Sequence, residues 1–126
     1  MKVIDEFLSP FEFEPIRSKI ESKDFPWYWQ SHSHGNIIDG NFIGDNVPQL
    51  IHGFVEDGYT NSDFYFLLKC STCFSHLNAK SVDKVKANCN FKTLEPNVGW
   101  FHTDYEDERK KVATTSILYV NTNNGG

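Results

Sequence analysis

A histidine and an aspartate two positions apart, His102 and Asp104, are the residues of this sequence best suited to metal chemistry. On a β-strand, positions i and i+2 project from one face, so the imidazole and the carboxylate point the same way while Thr103 points away. An imidazole nitrogen and a carboxylate oxygen are two of the three ligands in the two-histidine, one-carboxylate site of non-haem iron(II). His-x-Asp also occurs as an ordinary hydrogen-bonded pair on strand surfaces, and the spacing alone is compatible with both interpretations.

Two other groups contain metal-ligating side chains. Cys70, Cys73 and His76 are zinc ligands by type, but at helical spacing they point in different directions and do not converge on one ion. His32 and His34 would share one face of a strand, yet their surroundings are rich in Ser, Gly and Asn, which is typical of a loop. We therefore expect the first group on a helix surface and the second in a loop.

The first half of the chain is predicted to contain one helix and several strands. Ser9 followed by Pro10 is a helix start signal. Apolar residues then recur on one face, at Phe13, Ile16 and Ile20, of a helix that runs to about Ser22. The aromatic residues 25–29 predict a strand packed on that helix. The remaining predictions are a loop at 31–47 with a short strand at 37–38, a strand at 49–55, and a turn at Asp57-Gly58.

The second half is predicted to contain one helix followed by strands. Asn61 or Ser62 caps a helix that runs to about Leu77, with an apolar face that contains Phe64, Leu67, Leu68, Phe74 and Leu77. Residues 85–91 alternate between apolar and polar types, the period of a half-buried strand. Residues 100–105 and 112–121 predict two more strands. This arrangement indicates an α+β fold with a mainly antiparallel sheet.

Length, charge and cysteine content narrow the class of protein. A chain of 126 residues with 39% hydrophobic and 15% aromatic residues is consistent with one folded domain. The net charge of −5 argues against nucleic acid as a partner, because phosphate contacts need clustered Lys and Arg. There is no apolar run long enough for a signal peptide or a membrane span. Three cysteines without an export signal are most simply reduced thiols of a cytoplasmic protein.

Three segments of the sequence resemble one enzyme family. Residues 84–88, 99–105 and 115–126 resemble, in this order, the prolyl-4-hydroxylase-like branch of the 2-oxoglutarate- and iron(II)-dependent oxygenases. In that branch a strand with the His-x-Asp pair is followed by a strand ending in Tyr-Leu-Asn and by a turn rich in Asn and Gly. Here Tyr119-Val120-Asn121 and residues 123–126 occupy those places, with Val instead of Leu.

The resemblance implies a fold, a reaction and a set of site residues. The implied fold has N-terminal helices packed on a double-stranded β-helix, or jelly roll, which is incomplete here. The implied iron(II) ligands are His102 and Asp104, and the implied cosubstrate contacts are Tyr119 and Asn88. The reaction couples oxidative decarboxylation of 2-oxoglutarate to hydroxylation of a C–H bond in a small-molecule or peptidyl substrate, prolyl or amino-acid-like. Ascorbate keeps such iron reduced.

The sequence departs from the family pattern after Asp104. Family members supply a distal histidine as the third ligand and then a basic residue, usually Arg, that pairs with 2-oxoglutarate. No histidine follows Asp104, and Arg109 lies in the loop between the two strands. We therefore expect residues 1–126 to be the N-terminal portion of the oxygenase domain, without the C-terminal half of its barrel and inactive alone. The alternatives are a non-catalytic binding domain on the same barrel and an inactive truncated product.

Overall fold

A computed structural model of the chain describes residues 2–32, 35–39, 41–44, 47–92, 94 and 112–122. The chain divides into two compact units, Met1–Trp29 with Leu50–Cys89 and Gln30–Gln49 with Asn90–Gly126, and each is described by itself. The expectation of one domain stays a prediction. The elements within the described residues are α1 (Pro10–Ile20), β1 (Tyr28–Gln30), β2 (Gly35–Ile38), β3 (Asn41–Gly44), β4 (Gln49–Glu56), β5 (Tyr59–Thr60), α2 (Tyr65–Cys70), α3 (Cys73–His76) and β6 (Val85–Asn90).

Helix α1 begins and ends close to where the sequence predicts. It starts at Pro10 and ends at Ile20, two residues before the predicted end at Ser22. Ser9 precedes it as the cap, and the Glu12 carboxylate accepts hydrogen bonds from the Ser9 N–H at 3.2 Å and the Ser9 hydroxyl at 2.6 Å. Ile16, on the predicted apolar face, is 2% exposed, which confirms that face.

Glu12 also connects α1 to the start of α3. Its second carboxylate oxygen accepts a hydrogen bond from the Thr72 N–H at 2.8 Å, across 60 positions of sequence. Hydrogen bonds from Ser9 and then from Thr72 lower the pKa of Glu12 from its usual 4.5 to about 2, because they stabilise the ionised carboxylate. One side chain therefore caps one helix and fixes the position of another.

Strand β4 pairs with three other strands of the larger sheet. The order is β1-β4-β5, and β6 also pairs with β4. β4 and β5 are antiparallel, with Val55 opposite Thr60. Asp57 and Gly58 connect them with φ of 48° and 78°, the left-handed values that a two-residue hairpin turn of type I′ requires. The predicted strand at 49–55 and the predicted turn are both confirmed.

The predicted strand over the aromatic residues 25–29 is only partly right. β1 begins at Tyr28 and continues to Gln30, whereas Phe25, Pro26 and Trp27 precede it as irregular chain. Pro26 has no N–H to donate to a neighbouring strand. The N–H of Phe25 is also engaged elsewhere, in a turn bond to the Ser22 carbonyl at 3.2 Å.

The predicted loop at 31–47 contains a second strand as well as the expected one. β2 at Gly35–Ile38 confirms the short strand at Ile37 and Ile38, and β3 at Asn41–Gly44 pairs with it antiparallel. In the register of this hairpin Ile37 lies opposite Phe42. The Gly and Asn content of the segment concealed β3, because these types are as common in hairpin ends as in loops.

The predicted single helix from Ser62 to Leu77 is wrong: the structure has two short helices, α2 and α3. Ser71 lies between them with an extended ψ of 167°. Its hydroxyl donates to the Leu68 carbonyl at 2.8 Å and accepts from the Cys73 N–H at 3.3 Å. A serine side chain that satisfies backbone groups on both sides competes with continuous helix. Among the described residues, no helix is long and apolar enough to cross a membrane.

The break changes which residues form the core. Leu68, on the predicted face, is 8% exposed, whereas Leu77 is 38% exposed. Tyr65 and Cys73 are buried instead, at 8% and 7%. The core of the first unit consists of these three buried residues together with Leu8, Ile16, Phe25, Phe54 and Val55.

The last part of the predicted sheet is confirmed only at β6. Its residues alternate between half-buried and exposed, as the sequence predicts. Residues 112–122 contain no strand, so the predicted strand at 112–121 is wrong, and Ile117 within it is 74% exposed. A strand needs a neighbour for its N–H and C=O groups, and the strand pairings within the described residues do not include this segment. The predicted strand at 100–105 lies outside the described residues. The α+β class is confirmed as a mixture of helices and antiparallel strands with an open sheet.

Candidate functional site

The two predicted iron ligands, His102 and Asp104, lie outside the described residues. His34 also lies outside them, while His32 is half-buried. The donor types of His102 and Asp104, a neutral imidazole and a carboxylate, suit iron(II). A third protein ligand is needed to complete such a site.

The predicted cosubstrate contact Asn88 lies on the exposed face of β6. Lys84 precedes the strand and is exposed, as are Lys86, Asn88 and Asn90 within it, whereas the residues between them are half-buried. The Lys84 ammonium forms an ion pair with the Glu56 carboxylate at 3.0 Å. Asn88 therefore presents a hydrogen-bond donor and an acceptor on a polar strand face, as the alternating sequence predicts.

The other predicted cosubstrate contact, Tyr119, lies in the irregular segment 112–122. It is 54% exposed, so its hydroxyl is accessible to a ligand. Asn88 belongs to the first unit and Tyr119 to the second. Each residue can offer a hydrogen bond to a carboxylate, the amide through its N–H and the phenol through its O–H.

Cys70, Cys73 and His76 are placed on two short helices. Cys70 is exposed and Cys73 is buried, and burial raises the pKa of the Cys73 thiol. His76 Nδ1 lies 3.1 Å from the Phe7 carbonyl, and its ring packs edge-on against Phe7 at 5.5 Å between centroids. In the part of the chain that the structure describes, no three His, Cys, Asp or Glu residues are grouped as a metal site would require.

One buried polar side chain that the sequence analysis did not single out is His52, in the middle of β4. It is 3% exposed and lies against the rings of Phe25 at 4.5 Å, Phe54 at 4.7 Å and Phe64 at 6.1 Å between centroids. A signal was present in the sequence: a single histidine within an apolar strand is expected to be buried with hydrogen-bond partners.

Both nitrogens of His52 have such partners. Nδ1 lies 2.8 Å from the carbonyl oxygen of Pro26, and Nε2 lies 2.7 Å from the hydroxyl of Ser62. Ser62 Oγ also accepts a hydrogen bond from the Phe64 N–H at 3.3 Å. His52 therefore connects the chain before β1 to the loop before α2. With both nitrogens engaged, it is not placed to act as a third metal ligand.

Comparisons of the chain with family models, with curated proteins and with solved structures found no match. The functional interpretation therefore depends on the residues themselves. Two groups are relevant: the sequence motif around His102 and Asp104 with Asn88 and Tyr119, and the hydrogen-bonded group around His52.

Proposed function

We propose that this chain carries the metal-binding strand of an iron(II)- and 2-oxoglutarate-dependent oxygenase of the prolyl-4-hydroxylase-like branch. The observation that carries the proposal is the order of His102-Thr103-Asp104, Tyr119-Val120-Asn121 and the Asn/Gly-rich residues 123–126. Strand β6 supports it, because Asn88 lies on an exposed polar face upstream of the motif. In this proposal the open antiparallel sheet belongs to a double-stranded β-helix.

Each site residue has a defined role in the proposed reaction. His102 and Asp104 hold iron(II), and Asn88 and Tyr119 orient 2-oxoglutarate by hydrogen bonds to its carboxylates. Iron(II) and 2-oxoglutarate, when bound, supply the oxidative chemistry that hydroxylates a C–H bond in a prolyl or amino-acid-like substrate. The exposed phenol of Tyr119 is available for such a contact.

The proposal includes a cytoplasmic location for the protein, and the cysteines support this part of it. Cys70, Cys73 and Cys89 are free thiols, and free thiols are typical of reducing compartments. Ascorbate or another reductant is the further requirement of the proposed reaction, because iron(II) must stay reduced.

Metal binding tests the proposal directly. With two of the three ligands, we expect the chain to bind Mn(II), an oxygen-stable substitute for iron(II), weakly, and more tightly when 2-oxoglutarate is present. Removal of a hydrogen-bonding partner behind a ligand costs about 10–100-fold in metal affinity, so removal of a ligand in His102→Ala or Asp104→Ala should cost at least that much. Calorimetry with and without 2-oxoglutarate measures both effects.

The matched control is Asp63→Asn, which removes an exposed carboxylate outside the motif. It should leave Mn(II) affinity unchanged. Equal affinities in the wild type and in both ligand variants would refute the assignment of His102 and Asp104. The gene sequence downstream of the Gly126 codon is a second test, because an in-frame continuation with a histidine and then an arginine would supply the remaining family residues.

A further inference from the structure

We propose that Ser62 is a nucleophilic serine that accepts acyl groups from activated esters, with His52 as its general base. The inference is independent of the oxygenase proposal, since none of its residues belongs to the proposed iron or cosubstrate site. Nucleophilic serines are recognised by a hydroxyl in hydrogen-bond contact with a base that a third group orients. Ser62, His52 and the Pro26 carbonyl form such a series, with contacts of 2.7 Å and 2.8 Å.

The direction of the hydrogen bonds follows from the types of the groups. A carbonyl oxygen can only accept, so Nδ1 of His52 must carry the hydrogen that bonds to Pro26. In the neutral imidazole the lone pair is then on Nε2, and the Ser62 hydroxyl donates to it. The hydrogen of Ser62 is thus directed at the nitrogen that must remove it. The Pro26 carbonyl is the positioning group, because it fixes the tautomer.

The surroundings of Ser62 favour a reactive hydroxyl over one that only satisfies the hydrogen bonds of a buried histidine. Ser62 is half-buried, and its neighbours Asn61 and Asp63 are exposed, so the hydroxyl lies in a surface loop. The Phe64 N–H donates to Ser62 Oγ at 3.3 Å, which stabilises negative charge as the hydroxyl loses its proton. The rings of Phe25 and Phe64 lie against His52.

An apolar groove adjoins this loop and indicates the class of substrate. It has a volume of about 500 Å³ and is lined by Pro15, Ser18, Lys19, Phe64, Phe66 and Leu67. Phe64 lines the groove, and its N–H donates a hydrogen bond to Ser62 Oγ. The groove therefore fits the apolar part of an ester whose carbonyl is presented to Ser62.

The proposed reaction balances without a further reactant except water. Ser62 Oγ forms a bond to the carbonyl carbon of the ester while its proton moves to Nε2 of His52. The carbon–oxygen bond to the alcohol breaks, and the alcohol leaves with the proton from Nε2. Water then attacks the acyl carbon while Nε2 takes its proton. The bond from that carbon to Ser62 Oγ breaks, Nε2 returns the proton to Oγ, and the acid leaves.

A fluorophosphonate with an alkyl chain tests the nucleophile, because it forms a stable bond to reactive serines with loss of fluoride. We expect mass spectrometry of the full chain to find the label on Ser62, and none on that peptide in Ser62→Ala. A general base contributes about a hundredfold or more, so His52→Gln should slow labelling by that order. Ser75→Ala is the control, because its exposed hydroxyl donates to the Thr72 carbonyl; it should label like the wild type.

A second variant keeps the test decisive if His52→Gln fails to fold. In Ser62→Cys the histidine should withdraw the thiol proton, so iodoacetamide at mildly acidic pH should alkylate the introduced thiol faster than the exposed Cys70 of the same molecule. Slower alkylation than at Cys70, or an unlabelled Ser62 in the folded wild type, would overturn the proposal.

Discussion

Among single residues, Glu12 couples the stability of the fold in acid to hydrogen bonds from two residues, Ser9 and Thr72. The Ser9 and Thr72 groups hold its pKa at about 2, below the usual 4.5. A carboxyl whose folded pKa is depressed stabilises the folded state above the unfolded pKa and loses that contribution as pH falls through the folded pKa. The Glu12 contribution is therefore complete above about pH 4.5 and disappears as pH falls to about 2.

The variant Glu12→Gln should remove this part of the pH dependence. We expect its melting temperature to be lower than that of the wild type at neutral pH, and the difference to shrink as pH falls from 4.5 toward 2. Thermal unfolding followed by circular dichroism at several pH values measures the difference. Glu14→Gln is the matched control, because Glu14 is an exposed carboxylate of the same helix with a 3.5 Å ion pair to Arg17. A pH-independent effect of Glu12→Gln would contradict the proposed linkage.

Functional residues that share one strand are easier to recognise in the sequence than residues brought together by the fold. The His-x-Asp pair and Asn88 are visible in the sequence because their meaning depends on spacing along one strand. The partners of His52 come from positions 26 and 62, which are distant in sequence. Tertiary contacts of this kind leave only an indirect sequence signal, a polar residue in an apolar strand.

Among the elements, those with local signals were predictable. The Ser9-Pro10 start fixes α1, and the Asp57-Gly58 turn fixes the end of β4, because each depends on neighbouring residues alone. The helix from 62 to 77 failed because Ser71 uses its side chain to satisfy backbone groups, which the apolar period does not reveal. The strand at 112–121 failed because its formation depends on a partner strand as well as on its own composition.

The Asp57-Gly58 turn makes a quantitative prediction for the β4-β5 hairpin. Gly58 has φ of 78°, and a Cβ there would meet only the Val82 carbonyl at 4.0 Å, so the strain of Gly58→Ala is in the backbone. An L-residue in this region costs about 1–2 kcal/mol. Urea unfolding should show a loss of stability of about that size.

Gly53→Ala is the control for Gly58→Ala, since it lies in β4 and a Cβ there has no atom within 4 Å among the described residues. Removal of glycine flexibility from the unfolded chain should make its effect near zero or slightly stabilising. A loss at Gly53 equal to that at Gly58 would show that the left-handed φ is not the cause.

At the scale of the whole molecule, the buried hydrophobic side chains among the described residues all lie in the first unit. Ile16 and Val55 are 2% exposed, whereas Ile117 and Tyr119 of the second unit are 74% and 54% exposed. Amides in regions with few buried contacts exchange with solvent through small, local openings. The described parts of the two units should therefore differ in protection.

Hydrogen exchange followed by mass spectrometry measures this difference. We expect the amides of β4 and α1 to exchange most slowly, and those of residues 112–122 to exchange faster, because no helix or strand includes them. Slow exchange from Ile117 to Asn121 would contradict this and indicate the paired strand that the sequence predicts.

Addition of Mn(II) with 2-oxoglutarate extends the hydrogen-exchange test to the proposed cosubstrate contact of Tyr119. If Tyr119 contacts the cosubstrate, protection around it should rise in the wild type and not in Asp104→Ala, while β4 should exchange equally in both.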